Sequence, residues 1–276
     1  MKTRLMLVAA ACLVSAVLIT AQAPPDGAGK GGPGAGKGAG KGGPGAGKGR
    51  GGFQPPEGPA PKTPWGTLDL NGVWARPYTP DIERANGGPL PYTEWGKKQF
   101  DTYNAEEGDY TGSCLPFGHS RAMGSPDPIQ IMLTPTSMAF LYEQNSWFKV
   151  FPIDGRAHNP KKVPTWFGES VGHWEGDELV VDTIGLNNRT FVDNYRTPHT
   201  EKMHVVERFK LIDGGKTLQD TITVEDPGAF NMKWTAVQRW TRNNRGPIEE
   251  LSCAENNESL FNYDVRPIPQ ARTPDF

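Results

Sequence analysis

From about residue 128 onward the chain is written in short apolar or alternating runs broken by turn residues. That rhythm constrains its fold more than any other feature. The runs are 129–134, 137–143, 147–153, 171–175, 179–184, 203–212, 217–224, 232–241 and 248–253. Val, Ile, Thr, Phe and Trp dominate them, and such side chains suit a pleated surface. Between them stand Thr134-Pro135, Gln144-Asn145, Asp154-Gly155, Glu175-Gly176-Asp177, Asp213-Gly214-Gly215 and Asn243-Asn244-Arg245-Gly246-Pro247, all turn signals. Strands at this spacing predict an all-β domain, an antiparallel meander that closes into a barrel or stacks as a β-sandwich. Only residues 92–104 read as a helix. Thr93 suits the cap, Glu94 the first turn, and Tyr92, Trp95, Phe100 and Tyr103 one face. Pro-rich stretches at 77–91 and 266–274 read as straps over the body.

Period-two alternation assigns faces. In 203–211 the odd positions Met203, Val205, Phe209 and Leu211 are apolar, so Glu207 is expected to point inward with them. In 218–224 the even face carries Leu218, Ile222 and Val224, which turns Asp220 inward. In 232–240 it carries Met232, Trp234, Ala236 and Trp240, which turns Gln238 inward. Three adjoining strands would each put one polar group on an apolar face. A buried carboxylate is costly without partners or water. A filled core has no use for these groups; a barrel enclosing a site does.

Ahead of this body the composition changes. Residues 1–23 have a basic start, an apolar stretch from Leu5 to Ile19 and the small-x-small exit Ala21-Gln22-Ala23, the three parts of a secretory signal, and predict a periplasmic or secreted protein. Residues 24–62 carry sixteen glycines and a net charge of +4, and GAGKGGPGAGKG at 27–38 recurs at 38–49. Chain this rich in glycine buries too little to offset its ordering entropy, so a disordered linker is expected. Gly31 to Lys37 and Gly42 to Lys48 match the opening of a phosphate loop. Gly38 and Gly49 then stand where Ser or Thr should meet Mg²⁺, with no strand before or helix after, and nucleotide binding is set aside. The basic linker suits weak contact with an acidic envelope surface.

Residues 63–276 are expected to form a single β-rich domain. It carries 21 basic against 29 acidic residues, a balance that argues against nucleic acid as a partner. No apolar run outside the signal is long enough for stable membrane insertion. Beyond the signal there are two cysteines, Cys114 and Cys253, which an exported chain is expected to pair, tying the N-terminal segment to the last strand.

Asn71-Gly72-Val73-Trp74, ahead of the meander, is similar to the opening of lipocalin-type barrels and implies a lipocalin/calycin-like closure. A wider set resembles a group of exported proteins from soil bacteria. It comprises Asp69 to Trp74, Cys114-Leu115-Pro116, Asp154-Gly155-Arg156-Ala157-His158, the run from Ser170 to Thr183, Pro198-His199-Thr200-Glu201 and Glu207-Arg208. That resemblance implies export and a β-rich fold, and assigns no catalytic residue.

The candidate chemistry divides accordingly. Glu207, Asp220 and His173 are the acid/base candidates. Arg156, which can clamp an anionic group, and His158, His199 and Gln238 are the ligand-binding candidates. His199, His204 and Glu207 have the spacing of metal ligands, but a strand through 203–211 puts His204 and Glu207 on opposite sides, so neither a metal nor another cofactor is expected. Segments 154–173 and 187–207 are long for hairpin loops. They are expected to fold over one end of the barrel, with Arg156, His158, His199 and Glu207 facing a common pocket. The function expected first is an exported barrel binding a small, partly apolar ligand in its cavity. The alternatives are a lyase, hydratase, isomerase or glycan-acting enzyme using the same groups, and a structural envelope protein.

Overall fold

The computed structural model describes residues 58–104, 109–244 and 246–253. Among them, nine strands form one antiparallel sheet: β1 (Gly72–Ala75), β2 (Ile129–Leu133), β3 (Ser137–Tyr142), β4 (Phe148–Pro152), β5 (Glu169–Glu175), β6 (Glu178–Ile184), β7 (His204–Ile212), β8 (Thr217–Glu225) and β9 (Trp234–Arg242). Their order is β4-β3-β2-β1-β9-β8-β7-β6-β5. The two outer strands meet where the Gly155 N–H donates to the Gly172 carbonyl at 2.9 Å. Gly172 permits that approach, since a Cβ there would lie 2.9 Å from Ile153 Cγ2. The result is a nearly closed barrel of antiparallel strands, and the sandwich alternative is set aside. Sheet edges left open are a liability, and closure removes them.

The expected strands are found in place except at 248–253, which lies in irregular chain. There the Glu249 N–H donates to Glu143 and the Leu251 N–H to Ser146 Oγ, so its backbone is satisfied by loop side chains instead of a ladder. Cys114 and Cys253 are bridged, 139 residues apart, so the bridge ties down this irregular stretch and not a last strand. β1 is the short G-x-W strand. It slots between β2 and β9, with the Trp74 indole donating to the Leu70 carbonyl and the Arg242 guanidinium over its ring.

The barrel ends differ. One is closed by tight turns at 134–136, 176–177 and 213–216, with residues 58–71 laid across it. Ala60 packs on the core, Lys62 bridges to Leu68, and Leu68 and Leu70 are buried. Residues 58–62, the end of the expected linker, are thus seated chain, and 254–276, with the expected strap at 266–274, fall outside the described residues. The other end is where β5 and β7 begin and β6 and β8 finish. It gathers α1 (Ile82–Ala85), the segment 185–203 and α3 (His119–Met123). The expected helix is α2 (Glu94–Asp101), whose Thr93 hydroxyl accepts from the Gly96 N–H as the cap. Helices α1 and α3, of four and five residues, are too short to show a helical period in sequence. None of the described helices is long and apolar enough to cross a membrane.

Candidate functional site

The register puts the three polar strand residues where alternation expects them. Glu207 pairs with Ile222 and Asp220 with Gln238. Glu207 and Asp220 are therefore diagonal neighbours on the inner face, a relationship that spans about 7–8 Å between strands. Both are fully buried, and Gln238 nearly so. Burial first, and then Glu207, holds the Asp220 carboxyl well above the usual carboxylate range. Gln238 Oε1 accepts from the Trp240 indole at 3.0 Å.

Two further residues complete the group, and neither was marked by the sequence. α3 crosses the capped end with His119, Arg121, Ala122 and Met123 buried. His119 Nε2 lies 3.1 Å from Glu207 Oε2, and Lys149 Nζ lies 3.1 Å from His119 Nδ1. A neutral imidazole satisfies both, donating from Nε2 to the carboxylate and accepting at Nδ1 from the amine. Burial, helped by the Lys149 charge, pushes the His119 pKa down and favours that neutral ring. Burial also brings Lys149 down to about 7, from an ordinary value of 10.5. Lys149 escapes notice because both faces of Phe148–Pro152 are apolar. Only the fold turns Lys149 and Phe151 inward and leaves Phe148 and Val150 exposed.

α3 is held where it is. The Arg76 guanidinium donates to the carbonyls of Ala122 and Asp127, and Arg121 makes a paired contact with Asp109 while its Nε donates to Asn194. With Trp74, Trp240, Phe140, Phe209 and Tyr142 buried below, the barrel interior is filled. The open cavity expected there is reduced to about 20 Å³ beside Glu207. That is room for a water-sized group. Its walls include Ile82, Val192, Val205, Val224 and Trp234, with His119, Ser120 and Gln238 as polar lining. Three of its lining residues, Ser120, Glu207 and Trp234, each carry a buried polar atom (Oγ, Oε1 and Nε1) that has no hydrogen-bond partner among the described residues.

The remaining candidates are dispersed. The long segments do meet, where the Asn187 N–H donates to the Thr165 carbonyl at 2.9 Å, but they do not bring Arg156, His158, His199 and Glu207 to one pocket. Arg156 is exposed and paired with Asp154, two residues away, because the turn folds the guanidinium back onto its own carboxylate. His158 lies outside the barrel, bonded to Asp182 and Glu169, and His204 holds the other oxygen of Asp182. His173 is half-exposed and bonded to Glu175, because its strand turns Ser170 and Gly172 inward instead. His199 is buried elsewhere. Its Nδ1–H donates to the Thr200 carbonyl at 3.1 Å, which leaves Nε2 to accept from the Thr190 hydroxyl at 2.7 Å. His204 and Glu207 face opposite sides of β7, as alternation requires.

No protein-family profile and no curated protein matches the chain. Among solved structures it is similar to the wild-type fluorescent protein UnaG, at 11% identity, covering 63% of this chain and 97% of that one, with a TM-score of 0.31. It is also similar to the fatty acid transporter REP1-NXSQ, at 11% identity, 64% and 98% coverage and a TM-score of 0.33. At these scores the likeness carries no argument about ligand or activity, and the barrel assignment rests on the strand order and register described above.

Proposed function

We propose that the chain is an exported barrel that binds a small, partly apolar ligand at its capped end, over Glu207. One observation carries this reading: Ser120, Glu207 and Trp234 line one largely apolar cavity, and each carries a buried polar atom with no partner among the described residues. Buried polar atoms are nearly always bonded, and three orphans around one space point to a group that supplies the missing bonds. Such a ligand carries both donor and acceptor atoms on a short apolar body. A body larger than a water-sized group enters only as α3 and segment 190–193 shift outward. The observation also weighs against a purely structural core, whose polar groups would bond each other. Export is supported by the Cys114–Cys253 bridge, since disulfides persist in oxidising compartments.

The test is a two-dimensional NMR titration with short-chain alcohols, amides and carboxylic acids. Binding that shifts the Trp234 indole resonance, and that weakens in Glu207→Gln and Ser120→Ala, supports the reading. If none of these probes moves that resonance, the reading is wrong. N-terminal sequencing of the secreted protein, expected to begin at Pro24, tests export.

A second reading, acid/base catalysis of the lyase, hydratase or isomerase kind, is favoured by the Lys149–His119–Glu207 chain. It connects an amine with a pKa of about 7 to a carboxylate that borders the cavity. Turnover of a compound found to bind there, lost in Glu207→Gln while binding persists, separates catalysis from carriage.

A further inference from the structure

A much larger space lies outside the barrel, between α2 and the segment 188–200. It measures about 540 Å³, within the roughly 300–1,000 Å³ usual for small-molecule sites. We propose that this cleft is a separate binding site for a neutral saccharide of one or two rings.

The chemistry of its lining argues for that class. Trp95, Tyr103 and Phe191 supply aromatic surface, and Trp95 is 42% exposed. Tyr103 and Phe191 meet edge to face at 5.3 Å, so that wall is braced. Gln99 and Asn188, both exposed, bring planar amides that donate and accept side by side. At the floor, the Thr190 hydroxyl donates a hydrogen bond to His199 Nε2, leaving lone pairs on Oγ1 to accept from a ligand hydroxyl. A pyranose ring has apolar C–H faces and an equator of hydroxyls, the complement of aromatic walls with amides and a hydroxyl between them.

The lining also disfavours other occupants. Among the described residues its lining includes no Asp or Glu, so none of them offers a cation its partner or supplies the carboxylate pair of a glycoside hydrolase. Among its described lining residues the one cation is Arg189, because burial lowers the His199 pKa and keeps the ring neutral, and a polyanion would want more. A long alkyl chain would leave the amides and hydroxyls unpaired.

The wall carrying Trp95 is fixed in place. The Thr93 N–H donates to the Ala229 carbonyl, and the Thr93 hydroxyl donates to the Gly228 carbonyl at 2.8 Å. Gly96 then packs so tightly that a Cβ would lie 2.3 Å from the Ala229 carbonyl oxygen. A preformed site of this kind binds without first ordering its own walls.

The experiment is saturation-transfer NMR and calorimetry on the exported chain with D-glucose, D-galactose, D-xylose, cellobiose and xylobiose, each at roughly 10 mM. At least one should bind, shifting the Trp95 indole and Asn188 amide resonances and leaving the Trp234 indole unmoved. Trp95→Ala and Asn188→Ala should each weaken it about tenfold, and Arg156→Ala, on the far exposed turn, should not. Both side chains are exposed, so circular dichroism of the variants should match the parent. The proposal is overturned if no saccharide binds at that concentration, if binding survives both substitutions, or if the shifts fall on Trp234 instead.

Discussion

His119 Nε2 sits 3.1 Å from Glu207 Oε2, with both side chains buried, and this contact fastens a five-residue helix to the far wall of a barrel. The other ring nitrogen meets Lys149, on β4, so one imidazole spans two walls. His119→Ala would leave an amine and a carboxylate buried without that partner and open a hole between them. We expect a loss of about 3 kcal/mol in urea denaturation. A loss under about 1 kcal/mol would show that α3 is held by Arg76 and Arg121 alone.

Lys149 makes stability depend on pH. Its pKa is about 7 in the folded chain against an ordinary 10.5. Between those values the unfolded chain binds the extra proton, so this group's contribution is complete above about pH 10.5 and is lost as pH falls through about 7. Stability should therefore climb with pH across that window, and Lys149→Met should flatten the climb. Asp220 acts in the opposite sense. Its raised pKa contributes stability below the ordinary carboxylate range that is lost as pH rises through the folded value. Parallel pH profiles for the parent and Lys149→Met would refute the assignment.

Gly96 and Gly88 provide a matched pair. A Cβ at Gly96 would strike the Ala229 carbonyl oxygen, whereas one at Gly88 meets nothing within 4 Å. Gly96→Ala should cost about 1–3 kcal/mol and alter Trp95 fluorescence as α2 shifts. Gly88→Ala should be within about 0.5 kcal/mol of the parent. Equal effects at the two sites would mean that α2 is not pressed against the 228–229 turn.

The Cys114–Cys253 bridge closes a loop of 139 residues. Replacing both cysteines with alanine should lower stability by about 4 kcal/mol, mainly through a freer unfolded chain. Mass spectrometry of the native protein should find no free thiol in either residue, and two free thiols would count against the pairing.

Truncations from the N-terminus should show a threshold. Removing residues 24–57 should leave the melting temperature within about two degrees. Extending the cut through 62 removes the Ala60 packing and the Pro61 carbonyl that accepts from the Asp69 N–H, and should lower it measurably. Identical melting for both truncations would show that 58–62 adds nothing.

What the sequence determined alone is what a period of two can encode. Alternation along 203–224 and 234–240 was enough to turn Glu207, Asp220 and Gln238 inward, because a one-residue slip would expose their apolar neighbours, whereas Met232, expected on the same face, precedes β9 and is exposed. The cap of α2 was equally legible, since Thr93 bonds to the third residue along the chain. Period two names a face, however, and not the wall across from it. Nothing local in His119 announces a partner 88 residues away in sequence, on a helix too short to be periodic. Lys149 lies in a strand apolar on both faces, where alternation has no preferred sign. Arg156 and His158 look like site residues in sequence, yet Asp154 and Asp182 hold them outside the barrel. Only the tertiary structure decided those partnerships, because closing the barrel brings β4 and β7 to opposite ends of a single imidazole ring.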